Sequence, residues 1–363
     1  TTEIYTLSLH DALPISSQKI VVSSNKTEDF SNNLNSILTG AHISINHKLP
    51  GDIFYQAGIR NYYYQSGNYS KVFTDIRLMA DYVIAKNFGV EISYDHFSQF
   101  FHILEGLPTG WSLDLIIPAS NICKPAQSDQ FYGGFFWILN QFHFNLGGYW
   151  KSLTNTVSYK NNVNLFGANT ATWHEELESG KGKSFGLEFM ANKKGNKWSW
   201  NFAYTLSKTT RTYPTINEGN SFPFKFDRRH ILNFQTNYIT LNHGKKKQNL
   251  FASMAFSSGH KTTLAIGEYL GVPLPYWDQT DGGLLISSEM NHQAYHRQLM
   301  SSKNSYTMPN YLRFDLGYTF ICLRKKFERE FTVSVFNVTN HKNPYLYFNE
   351  SNKWYQLTIF SIM

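Results

Sequence analysis

The sequence predicts an all-β chain that forms part of an antiparallel, up-and-down transmembrane β-barrel. Three observations lead to this prediction. From about residue 38 onward, apolar and polar residues alternate with a period of two. The alternating segments are separated by links that are short and long in turn. Aromatic residues are abundant, with 29 Phe, 23 Tyr and 8 Trp, and several stand at strand ends, as in the aromatic girdles of membrane barrels.

The alternation defines the strands one by one. In 311–320, Leu312, Phe314 and Leu316 share one face, while Arg313 and Asp315 lie on the other. Segments 75–84, 185–192 and 198–207 show the same pattern, so each strand has one apolar and one polar face. The predicted strands are 38–49, 52–64, 71–85, 89–98, 129–139, 142–152, 184–193, 197–207, 229–240, 248–258, 310–324 and 330–339, with a thirteenth beginning near 355.

The links between these strands predict two different rims. In an up-and-down barrel, successive links fall on opposite rims, and bacterial outer-membrane barrels have short turns on one rim and long loops on the other. A soluble sandwich with Greek-key links has no reason for strict alternation. The short links are 50–51, 86–88, 140–141, 194–196, 241–247 and 325–329, and the long ones are 65–70, 99–128, 153–183, 208–228, 259–309 and 340–354.

Composition excludes two other classes of protein. No apolar run approaches the roughly 18–20 residues of a membrane helix. The net charge of +7 comes largely from basic residues in short turns, such as Lys245, Lys246 and Lys247, without a contiguous patch or a nucleic-acid-binding module. Trp198 and Trp200 after a short turn, and Tyr149 and Trp150 before a long loop, are instead predicted to lie in interfacial girdles.

Charged residues on the polar strand faces are predicted to point into the barrel lumen. There they stay hydrated or paired, whereas Arg or Lys facing lipid at midplane costs roughly 2–4 kcal/mol. The residues are Asp75, Arg77, Asp81, Glu188, Arg313 and Asp315.

Catalytic and metal sites were sought and none is predicted. His292 and His296 have a metal-ligand spacing but lie in a long polar loop without a third ligand. Asp95-His96 and the run 227–230 (DRRH) have no nucleophile motif nearby, so salt bridging is the simpler interpretation. Cys123, in a loop, and Cys322, on an apolar strand face, are interpreted as unpaired thiols. The prediction is a non-enzyme with no cofactor and no nucleic-acid partner.

An ordered set of motifs resembles TonB-dependent outer-membrane receptors of the Bacteroidetes type. It comprises 106–120 (GLPTGWSLDLIIPAS), 124–125 (KP), 128–131 (SDQF), 184–188 (SFGLE), 224–230 (FKFDRRH), 313–316 (RFDL) and 336–345 (FNVTNHKNPY). The resemblance covers roughly residues 30–363 and implies a barrel of about 22 strands. Residues 38–363 would then be the C-terminal part of that barrel, with 12 to 13 strands and no plug domain.

The resemblance also implies a function. Such a receptor, in the outer membrane of a Gram-negative cell, takes up a ferric siderophore, haem, cobalamin or an oligosaccharide. Its plug domain contacts the TonB complex, its extracellular loops bind the nutrient, and a surface lipoprotein is a further expected partner. Loop residues such as Tyr276, Trp277, Asp278 and Asp281 would take part in capture, although no single ligand contact is assigned. A plug-less porin-like barrel and a soluble carbohydrate-binding β-sandwich remain the alternatives.

The N-terminal segment differs from the rest of the chain. Residues 1–16 (TTEIYTLSLHDALPIS) resemble translated sequencing-adapter read-through and are excluded from the fold prediction, and 17–37 are a poorly defined loop or strand. No signal peptide is recognisable, and the chain stops within an apolar run. We therefore expect this chain to be part of a longer gene product.

Overall fold

A computed structural model describes residues 4–15, 36–104, 115–160, 176–271, 276–277, 284–285, 295–324, 327–350 and 353–358. Within these residues it is almost entirely β-structure, with a 3-10 turn at Ile216–Gly219. The strands are β1 (Ile4–Ile15), β2 (Ser36–Leu49), β3 (Ile53–Ser66), β4 (Tyr69–Ala85), β5 (Phe88–Gln99), β6 (Phe101–Leu104), β7 (Leu115–Pro118), β8 (Ala126–Leu139), β9 (Phe142–Tyr159), β10 (Leu177–Lys193), β11 (Trp198–Thr212), β12 (Phe222–Pro223), β13 (His230–His243), β14 (Lys246–Ser257), β15 (Lys261–Thr262), β16 (Ala265–Gly271), β17 (Tyr276–Trp277), β18 (Leu284–Leu285), β19 (Tyr295–Met300), β20 (Tyr306–Thr307), β21 (Tyr311–Leu323), β22 (Glu328–Val335), β23 (Pro344–Glu350) and β24 (Lys353–Thr358).

One long antiparallel sheet dominates the fold. Its order is β1-β2-β3-β4-β5-β8-β9-β10-β11-β13-β14-β21-β22, with β12 pairing only to β11. Each main strand pairs with the next main strand along the chain, so the sheet has up-and-down topology. The predicted all-β, up-and-down fold is confirmed.

Strand register brings the apolar faces together on one side of the sheet. A single row of directly paired residues crosses the sheet from β2 to β21: Leu49, Ile53, Tyr82, Val90, Phe135, Leu146, Phe189, Tyr204, Leu232, Phe256 and Leu312. The neighbouring row faces the other way and contains Lys48, Asp81, Glu91 and Glu188. Because side chains alternate along a strand, this register produces one continuous apolar face and one polar face.

Each predicted strand between residues 38 and 339 has a counterpart, and several extend further than predicted on one side, whereas the strand predicted at 330–339 ends at Val335. The largest difference is at 65–70, which was predicted as a long link. The structure instead has a two-residue turn at Gly67 and Asn68, with Ser66 paired to Tyr69. Gly67 has a φ of 53° there, which glycine adopts without a Cβ penalty. The strict alternation of short and long links is therefore wrong at this position.

The two rims remain distinct in spite of that difference. We call the rim with links 50–52, 86–87, 140–141, 194–197, 244–245 and 324–327 the short-turn rim. The opposite side, the long-loop rim, has links 67–68, 100–125, 160–176, 213–229 and 258–310. The long links carry the short hairpins β6–β7, β15–β20, β16–β19 and β17–β18.

Both ends of the chain differ from the prediction. Residues Ile4–Ile15, which the prediction left out of the fold, form β1 and pair with β2. A strand does occur near residue 355, but β24 pairs with β23 in a separate hairpin and does not extend the large sheet. The predicted long link 340–354 therefore contains β23. Residues 16–35 and 359–363 lie outside the described part of the chain.

Within the described residues, no helix is long and apolar enough to span a bilayer. Buried side chains form small clusters close to the long-loop rim. One contains Tyr64, Phe73, Phe100 and Ala119, and another contains Tyr213, Ile216 and Phe222. The residues that are packed away from solvent thus anchor the long links to the sheet.

Candidate functional site: the polar face and the long-loop rim

The predicted lumen residues share the polar face of the sheet. Asp75 and Arg77 on β4 pair directly with Arg60 and Gly58 on β3, and Arg77 also pairs with Asp95 on β5. The same face includes Asp81, Glu188, Arg313 and Asp315. A surface of this composition suits contact with water or a polar solute and does not suit lipid.

An ion pair crosses β4 and β5 on this face. Arg77 Nε donates to Asp95 Oδ1 at 2.9 Å, and Ser93 Oγ donates to Asp95 Oδ2 at 3.4 Å. The adjacent His96 points to the opposite face, where its Nδ1 lies 2.7 Å from Asp129 Oδ1. Asp95 and His96 therefore do not act on each other, and the structure separates this candidate acid–base pair into two distinct contacts.

Glu91 is the centre of a hydrogen-bonded group on the polar face. The Tyr132 hydroxyl donates to Glu91 Oε1 at 2.7 Å, and Asn145 Nδ2 donates to the same oxygen at 3.0 Å. The ring of Tyr132 lies against Gly147, where a Cβ would collide with the tyrosine hydroxyl oxygen. The absence of a side chain at Gly147 thus lets the tyrosine lie flat across the sheet. Periodicity alone did not predict this group, because its residues are far apart in sequence.

The RFDL and FNVTN motifs meet at the junction that follows β22. Asp315, only 4% exposed, accepts from Arg313 Nε at 2.9 Å, Ser253 Oγ at 3.1 Å and the backbone N–H of Asn337 at 3.0 Å. The side chain of Asn337 contacts the backbone of His341. These residues fix the chain where it leaves the sheet, so their role is structural.

The FKFDRRH motif likewise fixes a long link to the sheet. Buried Asp227 accepts the backbone N–H of Thr209 at 2.6 Å, and Ser207 N donates to the Arg229 carbonyl at 3.0 Å. Arg228 Nη1 donates to Ser257 Oγ on β14 at 3.1 Å. Among the described residues, this run makes contacts to backbone and hydroxyl groups in place of the expected salt bridges.

Four basic residues, Lys225, Arg228, His260 and Lys261, lie where two long links meet. The Lys261 backbone N–H donates to the Lys225 carbonyl at 3.1 Å, which joins the 213–229 link to the 258–310 link. Burial lowers the pKa of His260, and the positive charges of Arg228 and Lys225 lower it further. No ion pair to these four side chains occurs among the described residues. The lowered pKa favours the neutral form of His260, so the half-buried cations are Lys225, Arg228 and Lys261. Half-buried cations without a carboxylate partner suit an anionic ligand.

The 100–125 link packs against the aromatic side chains of the long-loop rim. The Tyr64 hydroxyl donates to the Ala119 carbonyl at 2.8 Å, and its ring stacks on Phe100 with centroids 4.9 Å apart. Burial lowers the pKa of His102 and raises the pKa of Cys123 to about 11. Both cysteines of the chain are free thiols, and a thiol buried in this way is unreactive.

Several of the predicted loop residues fall in or next to the undescribed part of the longest link. Tyr276 and Trp277 form β17, of which only the backbone is described, and Asp278 and Asp281 lie outside the described residues. His292 also lies outside the described residues, while His296 lies in β19. In the part of the chain that is described, no group of three potential metal ligands occurs.

The predicted girdle residues divide between the two faces of the sheet. Tyr149 pairs with Gly186 on the polar face, so it does not belong to the predicted girdle. Trp150, Trp198 and Trp200 lie on the apolar face, as a girdle requires.

No protein-family model and no curated protein sequence matches the chain. Solved structures do. The ferric yersiniabactin uptake receptor of Yersinia pestis aligns over 91% of this chain and 44% of its own, with a TM-score of 0.55 and 11% identity. The siderophore receptor PiuA of Acinetobacter baumannii aligns over 91% and 42%, with a TM-score of 0.56 and 12% identity. The fold is that of part of a TonB-dependent receptor barrel.

A third structure extends this likeness. The ferripyoverdine receptor of the outer membrane of Pseudomonas aeruginosa aligns over 88% of this chain and 36% of its own, with a TM-score of 0.55 and 12% identity. The chain therefore spans less than half the length of the solved receptors that it matches. Identities this low show the fold, and the activity needs separate arguments.

Proposed function

We propose that the chain is the C-terminal part of the barrel of a TonB-dependent receptor of the Bacteroidetes type in a Gram-negative outer membrane. The observation that carries this proposal is the alignment of about nine-tenths of the chain with siderophore and iron receptors. The continuous apolar face and the two unlike rims are also what an outer-membrane barrel requires. Such a receptor binds and imports a nutrient and catalyses no reaction.

We further propose a division of labour within the whole receptor. The long links capture the nutrient, and the polar face with Arg77, Asp95, Glu91 and Tyr132 forms a hydrated wall. A plug domain and its contact with the TonB complex would gate this passage, and a surface lipoprotein is a further proposed partner. Hydrogen bonds join Arg77 to Asp95 and Tyr132 to Glu91, so these side chains of the wall are held in place.

Of the candidate cargoes, the ferric siderophore is favoured, with haem, cobalamin and an oligosaccharide as the others. Two observations support this choice. The names of several matched solved structures refer to iron or siderophores. The cations Lys225, Arg228 and Lys261 at the junction of two long links would favour a cargo that carries negative charge.

Uptake in the host bacterium tests this function. Cells lacking the gene should grow more slowly than the parent on iron-limited medium with a supplied ferric siderophore, and deletion of tonB should have the same effect. The double variant Lys225→Glu/Arg228→Glu should take up less radiolabelled iron than the control Lys245→Glu/Lys246→Glu at the other rim. Uptake that persists without TonB would contradict the proposal and favour a porin-like barrel.

A further inference from the structure

Three exposed lysines lie on the apolar side of the sheet, close to the long-loop rim. Lys181 and Lys183 on β10 point to the same face as Phe185 and Leu187, and Lys208 on β11 pairs directly with Phe185. Lys183 pairs with Thr210, which places it diagonally from Lys208 at a Cβ separation of about 7 Å. The lysines therefore form one compact patch at the edge of the apolar face that is nearest the long-loop rim.

Hydroxyl groups flank this patch on the neighbouring strands. The register places one hydroxyl residue on each side of two of the lysines: Ser152 and Thr210 beside Lys183, and Thr154 and Thr212 beside Lys181. Ammonium and hydroxyl groups that alternate along a row can together donate several hydrogen bonds to the oxygens of a phosphate. We call the three lysines and these four residues the lysine–hydroxyl patch.

The described residues around the patch do not provide ion-pair partners for its lysines. No ion pair to Lys181, Lys183 or Lys208 occurs there. The carboxylate in the same row, Asp129, is already bound by His96 Nδ1 at 2.7 Å and by the Tyr94 hydroxyl at 2.9 Å. The positive charge of the patch is thus not balanced by that neighbour.

The position of the patch relative to lipid indicates its partner. Directly below it, toward the short-turn rim, the same face carries Phe185, Leu187 and Leu206, with Trp150 beside Phe185. Lysine side chains at the edge of an apolar band extend their stems along it and place the ammonium group at the level of the lipid head groups. Basic groups near a membrane surface attract anionic lipids.

We propose that the lysine–hydroxyl patch docks the phosphate group of an anionic glycolipid, phosphorylated lipid A, in the leaflet at the long-loop rim. The inference uses the proposed function only for the orientation of the sheet in an outer membrane. The bound lipid would hold the ends of β9, β10 and β11 at the long-loop rim, next to the 160–176 and 213–229 links, at a fixed depth in the membrane.

Lipid titration of the whole protein tests the proposal. The protein is produced from its own gene, purified in a neutral detergent, and titrated with diphosphoryl lipid A or with its dephosphorylated form, and bound lipid is counted by native mass spectrometry. The wild type should bind the phosphorylated form about tenfold more tightly than the Lys181→Ala/Lys183→Ala/Lys208→Ala variant does. The corresponding Lys→Arg variant should keep that binding, since arginine also binds phosphate.

The opposite rim supplies a matched control with the same change in charge. Lys245→Ala/Lys246→Ala/Lys247→Ala removes three exposed lysines from the short-turn rim and should leave lipid A binding unchanged. Equal losses in the two alanine variants, or equal binding of the dephosphorylated lipid, would overturn the proposal. Displacement by inorganic phosphate would overturn it too, in favour of a soluble anion.

Two readouts keep this test separate from the proposed function and from folding. Heat-resistant folded protein is measured for the alanine and the arginine variant alike, and both should keep the wild-type amount, so that a loss of lipid binding in the alanine variant is not a folding defect. Iron uptake is measured in parallel. Lipid binding without TonB-dependent uptake would contradict the receptor function alone, whereas uptake with undiminished lipid binding in the alanine variant would contradict the patch alone.

Discussion

At the scale of single residues, close contacts across the polar face define which substitutions the sheet tolerates. Gly147 has no room for a methyl group because the Tyr132 hydroxyl lies over it, whereas Gly133 on the apolar face has nothing within 4 Å of the corresponding position. Gly147 therefore cannot accept a side chain without a shift of Tyr132, whereas Gly133 in the neighbouring strand can, although each belongs to a Gly-Gly pair in a similar sequence.

Gly147→Ala should destabilise the folded protein, because the added Cβ must displace Tyr132 from its hydrogen bond with Glu91. We expect a loss of about 1–3 kcal/mol in the free energy of unfolding. Urea unfolding in lipid or detergent, followed by tryptophan fluorescence, measures this. Gly133→Ala is the control and should change the free energy by less than about 0.5 kcal/mol. Equal effects would show that the tyrosine does not occupy this position.

His260 should make the contact between two long links sensitive to acid. Its pKa is lowered in the folded state, so the freed link takes up a proton at a higher pH than the docked one. The stability of the contact should then be fully present well above the ordinary value of 6.5 and should fall as the pH drops below it. Lys225 and Arg228 are the charged groups that disfavour the protonated form.

Hydrogen exchange measures that sensitivity. The Met308 N–H donates to the His260 carbonyl at 2.9 Å, so its protection, corrected for intrinsic rates, should decrease between about pH 7.5 and 5. His260→Gln should show a weaker pH dependence at Met308. The amide of Val83, which bonds to Asp52 at the short-turn rim, is the control. A pH dependence unchanged by the substitution would contradict the assignment.

At the scale of elements, the sequence predicted the strands better than the links. Alternation predicted the apolar and polar faces of β4, β10, β11 and β21 correctly, because successive side chains of a strand point to opposite faces of the sheet. It failed at 65–70 and shortened β9 and β10 at the long-loop rim. Beyond an apolar band, both faces of a strand can be polar, so the alternation no longer distinguishes a strand from a loop.

The two rims should lie on opposite sides of the membrane. Epitope tags inserted within 265–300 should be detected on intact cells, whereas tags at Gly195 or Lys246 should need permeabilised cells, because antiparallel strands reverse direction at every link. Antibody binding measured by flow cytometry before and after permeabilisation distinguishes the two sets. Detection of the Gly195 tag on intact cells would contradict this topology.

Sites were harder to predict from sequence than strands. The shared polar face of Asp75, Arg77 and Asp315 followed from alternation, but their partners did not, since Asp315 collects donors from three separate segments. The DRRH run was interpreted as salt bridging, yet Asp227 binds a backbone N–H. Contacts between distant strands depend on register, which a single sequence specifies only through the faces.

At the scale of the whole molecule, the central claim is that the apolar face of the sheet meets lipid and the polar face does not. A soluble β-sandwich would cover its apolar face with a second sheet. Here residues such as Phe135 and Leu187 on that face are 54% and 56% exposed. An apolar face of this length and exposure needs a lipid environment or a large partner.

Site-directed spin labelling along β11 tests this claim most directly. Labels are placed one at a time at positions 201–206 of the protein in lipid bilayers, with Cys322 replaced by serine and the unreactive, buried Cys123 retained. Collision with oxygen, which concentrates in the hydrocarbon, should peak at 202, 204 and 206, and collision with a water-soluble nickel chelate should peak at 201, 203 and 205. A profile without this alternation, or chelate access to Phe202 and Tyr204, would contradict the barrel.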